Sequence, residues 1–118
     1  MQPDFSQFEE PAELFKKLAS PVRLALINEL AKGERCVHEL VDELLLAQPL
    51  VSQHLRILRD ARIVKSGRRG REMVYQLADD HITTILRDGL LHSQERVHHQ
   101  DPETETELDV DCEREQAG

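Results

Sequence analysis

The spacing of the apolar residues changes at residue 62, and this change limits the possible folds more than any other feature of the chain. Before it, apolar side chains recur every three to four residues, as in helices packed against a core. After it, the segment RIVKSGRRGREMVYQL, residues 62–77, takes up strand-like alternation and contains a glycine-bounded basic stretch. We therefore expect a mainly α protein with a small β-hairpin, whose turn lies at Gly67–Gly70.

Helix signals surround this hairpin. Ser20 is a plausible N-cap, Pro21 suits the first helical position, and Gly33 suits a helix end. The predicted helices cover about residues 9–19, the segment from Pro21 to Gly33, and about residues 36–46, 48–60 and 80–97. The short gap between the third and fourth helices indicates a helix-turn-helix.

The composition excludes several classes of protein. The chain has no Trp and 3% aromatic residues, so its core must be aliphatic, which favours helices. No apolar run approaches the roughly 20 residues of a membrane span, and the N-terminus lacks a signal-peptide pattern. Two cysteines are too few for a disulfide framework. We expect a cytoplasmic protein without a membrane partner.

The net charge of −8 is concentrated at the two ends of the chain. Residues 101–118 carry −7 and residues 1–13 carry −4, which leaves the middle of the chain at +3. The sequence of the C-terminal segment is acidic and poor in apolar residues, which predicts disorder. A mildly basic middle is compatible with nucleic-acid binding despite the negative total.

Polar residues on the outer face of the fourth helix and at the hairpin tip have the chemistry to contact DNA. Gln and Arg can form paired hydrogen bonds with base edges, and arginines at a hairpin tip can meet phosphates or a minor groove. The fourth helix contributes the predicted contacts Gln48, Ser52, Gln53, His54 and Arg56, and the hairpin contributes Arg68, Arg69 and Arg71. For His54 a second interpretation stays open, in which the imidazole only fills the side of the helix.

The segments CVHEL, QPLVSQHLRILRDA and GREMVYQL resemble the ArsR/SmtB family of metal-sensing winged helix-turn-helix repressors, and the resemblance covers residues 14–97. It implies a homodimer formed by the first and last helices, a symmetric operator, and release of DNA when an inducer binds. Residues 1–8 would be an N-terminal arm, 9–97 the DNA-binding and dimerisation domain, and 98–118 an acidic tail. One departure is Ala47, where family members often have Ser, so the usual cap of the recognition helix is missing.

The last helix carries four possible metal ligands in two separate pairs. His81 and His92 share a helix face but lie about 16 Å apart along it, too far for one ion. His92 and Glu95 are neighbours at i, i+3, and Asp79 can approach His81 only if it precedes the helix. In an antiparallel pair of such helices, Asp79 and His81 of one chain meet His92 and Glu95 of the other.

Two imidazoles and two carboxylates suit tetrahedral Zn(II), with Co(II) as its usual substitute. The pattern also matches the final-helix site of the family's zinc sensors, which implies two Zn(II) per dimer and derepression of zinc efflux or homeostasis genes. We expect no small organic substrate and no enzymatic activity, because a fourth protein ligand leaves no place for a catalytic water.

Several of these residues have other interpretations. A surface pair explains His92 with Glu95, and the metal could be structural only. Cys36 is interpreted as a buried core residue, although a partial Cys36–His38–Glu39 site or a redox-sensing thiol would make a different regulator. His98, His99 and Cys112 could form a weaker second metal site near the tail.

Overall fold

A computed structural model describes residues 2–98 of the chain. A single 3-10 turn, Ser6–Phe8, leads directly into the first of five helices. The helices are α1 Glu9–Leu18, α2 Pro21–Leu30, α3 Val37–Leu44, α4 Gln48–Asp60 and α5 Asp80–His98. The strands are β1 Arg35–Cys36, β2 Val64–Arg69 and β3 Glu72–Leu77. The five predicted helices are confirmed, with ends that differ by a few residues.

The start of α2 follows the predicted capping chemistry. The Ser20 hydroxyl accepts a hydrogen bond from the backbone N–H of Arg23 at 3.3 Å, and Pro21 occupies the first turn. Gly33 follows the helix with φ 147, a backbone conformation that side chains other than glycine adopt with strain. These three residues therefore fix where α2 begins and where the chain leaves it.

The sheet is larger than the predicted hairpin. It has three antiparallel strands in the order β1-β3-β2, and Cys36 of β1 pairs with Val74 of β3. A strand of two residues is too short to show a period, so the sequence pattern could not reveal it. The predicted turn at Gly67–Gly70 is wrong: Gly67 pairs with Val74 inside β2, and the turn is Gly70–Arg71. Gly70 has φ 66, as a two-residue hairpin turn requires.

The core is aliphatic, as the composition predicted. Its largest fully buried side chains are Leu26, Ile27, Leu40, Val51, Leu55, Leu58 and Ile63. The chain divides into two compact units, and the first, which ends at Leu86, contains this core, α1 to α4 and the sheet. The second starts at Arg87. Within residues 2–98, no helix is long and apolar enough to cross a membrane. The predicted disordered tail, with His99 and Cys112, lies outside the described residues.

Leu55→Ala should lower the free energy of unfolding by about 2–5 kcal/mol, because Leu55 is fully buried and truncation leaves a cavity. Urea unfolding at fixed protein concentration measures the effect. Leu45→Ala is the matched control, since Leu45 is 88% exposed and should change the stability by less than about 0.5 kcal/mol. Equal losses for the two variants would contradict the packing described for α4.

Candidate nucleic-acid interface and metal-binding residues

Helices α3 and α4 form a helix-turn-helix with a polar outer face. Leu45 ends α3 in the left-handed conformation, with φ 55, and α4 begins three residues later. Val51, Leu55 and Leu58 are fully buried and hold the inner side of α4 against the core. The predicted base-reading residues Gln48, Gln53 and Arg56 are exposed, and Ser52 is half-buried. The structure therefore presents three of the five predicted contacts of this helix to solvent.

His54 lies on the side of α4 that faces α2. Its Nδ1 accepts a hydrogen bond from Arg23 Nε at 3.2 Å, and Arg23 Nη1 donates to the carbonyl oxygen of Lys17 at 3.0 Å. Burial of the imidazole, and then the positive charge of Arg23, lower the pKa of His54. Because the ring is half-buried and bonded within the protein, the geometry favours the packing role over the predicted contact with DNA.

The three predicted arginines of the hairpin differ in their surroundings. Arg68 and Arg71 are exposed, and within residues 2–98 neither has a carboxylate within salt-bridge distance. Arg69 instead places Nη2 3.0 Å from Glu39 Oε1 at the start of α3. The hairpin thus offers Arg68 and Arg71 as free cations, while the charge of Arg69 is engaged within the chain.

Asp79 and His81 come together at the beginning of α5. Asp79 precedes the helix, and its Oδ1 accepts a hydrogen bond from the backbone N–H of His81 at 2.9 Å. The same oxygen lies 3.5 Å from His81 Nδ1. The side chain of Asp79 is 52% exposed and that of His81 is 90% exposed. Asp79 therefore precedes the helix, as its approach to His81 requires, and it caps the first turn. An imidazole and a carboxylate are thereby available together to an ion from solvent.

His92 and Glu95 lie in the second unit, and both side chains are exposed. They are three residues apart in α5, a spacing that makes side chains neighbours on a helix surface. Among residues 2–95, whose side chains the structure describes, no three Cys, His, Asp or Glu side chains converge as a metal site would require. Each chain therefore offers ligands in pairs, and the donor set of imidazole and carboxylate fits Zn(II).

Cys36 is poorly suited to bind a metal or to sense oxidants. The side chain is 5% exposed, and burial is the main factor that raises the pKa of its thiol. The thiolate is the reactive and metal-binding form, so a raised pKa disfavours both roles. Cys36 instead directly precedes α3 as its N-cap residue, and its backbone N–H donates to Glu39 Oε1 at 2.9 Å. The prediction of a buried structural cysteine agrees with this position.

The sequence predicted neither a structural role for Arg23 nor the capping role of Glu39, which it offered only as part of a partial metal site. The spacing of Cys36 and Glu39 is that of a capping box, so a search for an acid three residues after the helix start would have found Glu39. The contact between Arg23 and His54 joins residues 31 positions apart and has no local signal.

The His54→Gln substitution should reduce the pH dependence of stability. Because the pKa of His54 is lowered in the folded chain, the unfolded chain binds more protons below its own pKa of about 6.5. Stability should then be fully present above about pH 6.5 and decline as the pH falls through the folded pKa. Urea unfolding between about pH 7.5 and pH 5 measures this decline. The exposed-histidine variant His38→Gln is the control, and a decline in His54→Gln as steep as in the wild type would contradict the assignment.

Comparison with known proteins identifies the family of this fold. The sequence-family model described as "Bacterial regulatory protein, arsR family" matches residues 20–66 of this chain. The HTH-type transcriptional repressor SmtB of Mycobacterium tuberculosis is 52% identical over 83 residues, which are 70% of this chain and 62% of that protein. The chain thus spans less than two thirds of that relative's length.

Two solved structures share the architecture. The AntR antimony-specific transcriptional repressor is 31% identical with a TM-score of 0.73, covering 81% of this chain and 87% of its own. A homodimeric winged helix-turn-helix DNA-binding domain from Mycobacterium bovis has a TM-score of 0.74 at 24% identity, covering 84% and 94%. SmtB and AntR are named as transcriptional repressors, in agreement with the prediction that the chain is not an enzyme. The chain therefore belongs to the ArsR family of bacterial regulatory proteins and has the winged helix-turn-helix fold.

Proposed function

We propose that the chain is a transcriptional repressor that binds operator DNA as a homodimer and releases it when Zn(II) binds at two sites between the subunits. The observation that carries the metal part is the division of four exposed ligands into two pairs, Asp79 with His81 and His92 with Glu95. The repressor names of the relatives support the DNA-binding part.

In this proposal α4 reads the major groove and the hairpin contacts the backbone. The buried inner side of α4 fixes the direction of its outer side, so Gln48, Gln53 and Arg56 are available to base edges. The exposed Arg68 and Arg71 supply charge for phosphates. Two such helices in a symmetric dimer would read half-sites one helical turn of DNA apart, about 34 Å.

Association of two chains is supported by apolar side chains that remain exposed in one chain. Phe15 of α1 is 54% exposed, and Leu90 and Leu91 of α5 are 46% and 47% exposed. Contiguous exposed apolar patches often mark an interface, and Leu90 and Leu91 are adjacent in α5. The M. bovis domain with the same fold is described as homodimeric, which supports the same assembly for this chain.

Asp79 and His81 of one subunit, with His92 and Glu95 of the other, would hold the metal. Zinc coordinated by these four side chains would link the two subunits, and Co(II) would be its substitute. The AntR relative is named as an antimony-specific repressor. Its name supports an inorganic ion as the inducer for this fold, although the antimony itself is a property of AntR. Because linkage is reciprocal, bound DNA must weaken zinc binding by the same factor by which zinc weakens DNA binding.

Zinc should release the protein from a fluorescent duplex taken from the region upstream of its own coding sequence. Fluorescence anisotropy at fixed salt measures binding, and a chelator should restore it. His81→Ala and His92→Ala should bind the duplex like the wild type but need more than about 100-fold more zinc for release. Substitution of residues that only hydrogen-bond to metal ligands already lowers metal affinity by roughly 10- to 100-fold, and loss of a ligand should lower it further. His38→Ala, which alters an exposed histidine outside the proposed site, is the matched control.

A mixture of the two variants distinguishes a bridging site from two separate ones. A His81→Ala homodimer and a His92→Ala homodimer each lack a complete site. A heterodimer of the two regains one, because it combines Asp79 and His81 of one subunit with His92 and Glu95 of the other. Zinc binding should therefore reappear when the two variants are mixed and allowed to exchange subunits. Failure to regain binding after verified exchange would contradict the bridging model, and indifference of the wild type to zinc would contradict zinc sensing.

A further inference from the structure

Arg69, the last residue of β2, lies among three carboxylates. Its Nη2 is 3.0 Å from Glu39 Oε1 and 3.8 Å from Glu72 Oε2, and its Nη1 is 3.9 Å from Glu34 Oε1. These acids come from three places: the first turn of α3, the facing strand β3, and the residue before β1. The guanidinium therefore joins the hairpin to the beginning of the helix-turn-helix.

The shortest of these contacts is also part of the cap of α3. Glu39 Oε1 accepts the backbone N–H of Cys36 at 2.9 Å as well as Arg69 Nη2 at 3.0 Å. The hydrogen bond from Cys36 and the contact with Arg69 lower the pKa of Glu39 to about 2, so its carboxylate is charged throughout the physiological range. A permanently charged, helix-fixed acceptor is a suitable anchor for the hairpin.

Local charge separates Arg69 from its neighbours in the hairpin. One guanidinium among three carboxylates has negative surroundings, which makes Arg69 a less favourable partner for a phosphate than a guanidinium without such neighbours. Arg68 and Arg71 are exposed, and no carboxylate within residues 2–98 lies in salt-bridge range of them. The three arginines of the hairpin are therefore not equivalent.

We propose that Arg69 is a positioning residue that clamps the hairpin to the first turn of α3, whereas Arg68 and Arg71 contact DNA phosphates. This inference rests on the proposed DNA binding and assigns different work to adjacent arginines. The clamp holds the hairpin in a fixed direction relative to the helix-turn-helix. Its loss lets the free arginines move, which weakens binding without removing a phosphate contact.

The salt dependence of DNA binding separates the two roles, since each phosphate contact contributes about 0.9 to the slope of log K against log salt. Arg68→Gln and Arg71→Gln should each reduce that slope by about 0.9 on the upstream duplex. Arg69→Gln should weaken binding roughly twofold to fivefold, as expected of an exposed ion pair, and leave the slope unchanged. In a Glu39→Gln background, which removes the charged partner of Arg69, Arg69→Gln should weaken binding less than it does in the wild type. A slope reduced in Arg69→Gln as much as in Arg68→Gln overturns the proposal.

Titration of the Glu39 carboxyl group by NMR tests the clamp without DNA. Arg69→Gln should raise the pKa of Glu39, and the adjacent control Arg68→Gln should leave it unchanged. An unchanged titration in Arg69→Gln overturns the clamp whatever the protein does with DNA. If instead the wild type fails to bind the duplex at any salt concentration, the proposed function is wrong. The phosphate contacts proposed for Arg68 and Arg71 are then wrong as well. The NMR titration still decides whether Arg69 clamps the hairpin to α3.

Discussion

Burial of one side of α4 is the constraint on which the candidate interface depends. Val51, Leu55 and Leu58 are each fully buried, and this packing fixes the rotation of the helix about its axis. Since the inner face is held by aliphatic side chains, the polar residues between them have one direction available. A recognition surface on α4 is thus a consequence of core packing in the first unit.

A second set of interactions ties the helix-turn-helix to its surroundings through polar atoms. Arg23 links His54 of α4 to the end of α1 through Lys17, and Glu39 links the start of α3 to the hairpin. These interactions engage His54 and Arg69, two residues that the sequence predicted to contact DNA. The consequence is a smaller set of free contacts than the count of polar and basic residues suggests.

The proposed metal ligands are arranged differently, because one chain does not bring three such side chains together within residues 2–95. Asp79 combines capping of α5 with proximity to His81, which leaves its second oxygen free for another partner. His92 and Glu95 are a pair set by helical spacing alone. In the proposed site, two incomplete pairs would make subunit association a condition for tight metal binding, which is the property a dimeric sensor needs.

The sequence by itself determined the five helices, the helix-turn-helix, the aliphatic core and the start of α5 directly after Asp79, because capping and periodic burial are local effects that recur within a few residues. It also supplied the spacing of the ligand pairs. Only the tertiary structure decided the additional strand β1, the turn at Gly70–Arg71, and the hydrogen bonds that hold His54 and Arg69 within the protein. Those features depend on contacts such as Arg23 with His54 and Glu39 with Arg69, between residues about thirty positions apart. No local period or cap encodes such a contact, because it exists only after the packing of the core has brought the two segments together.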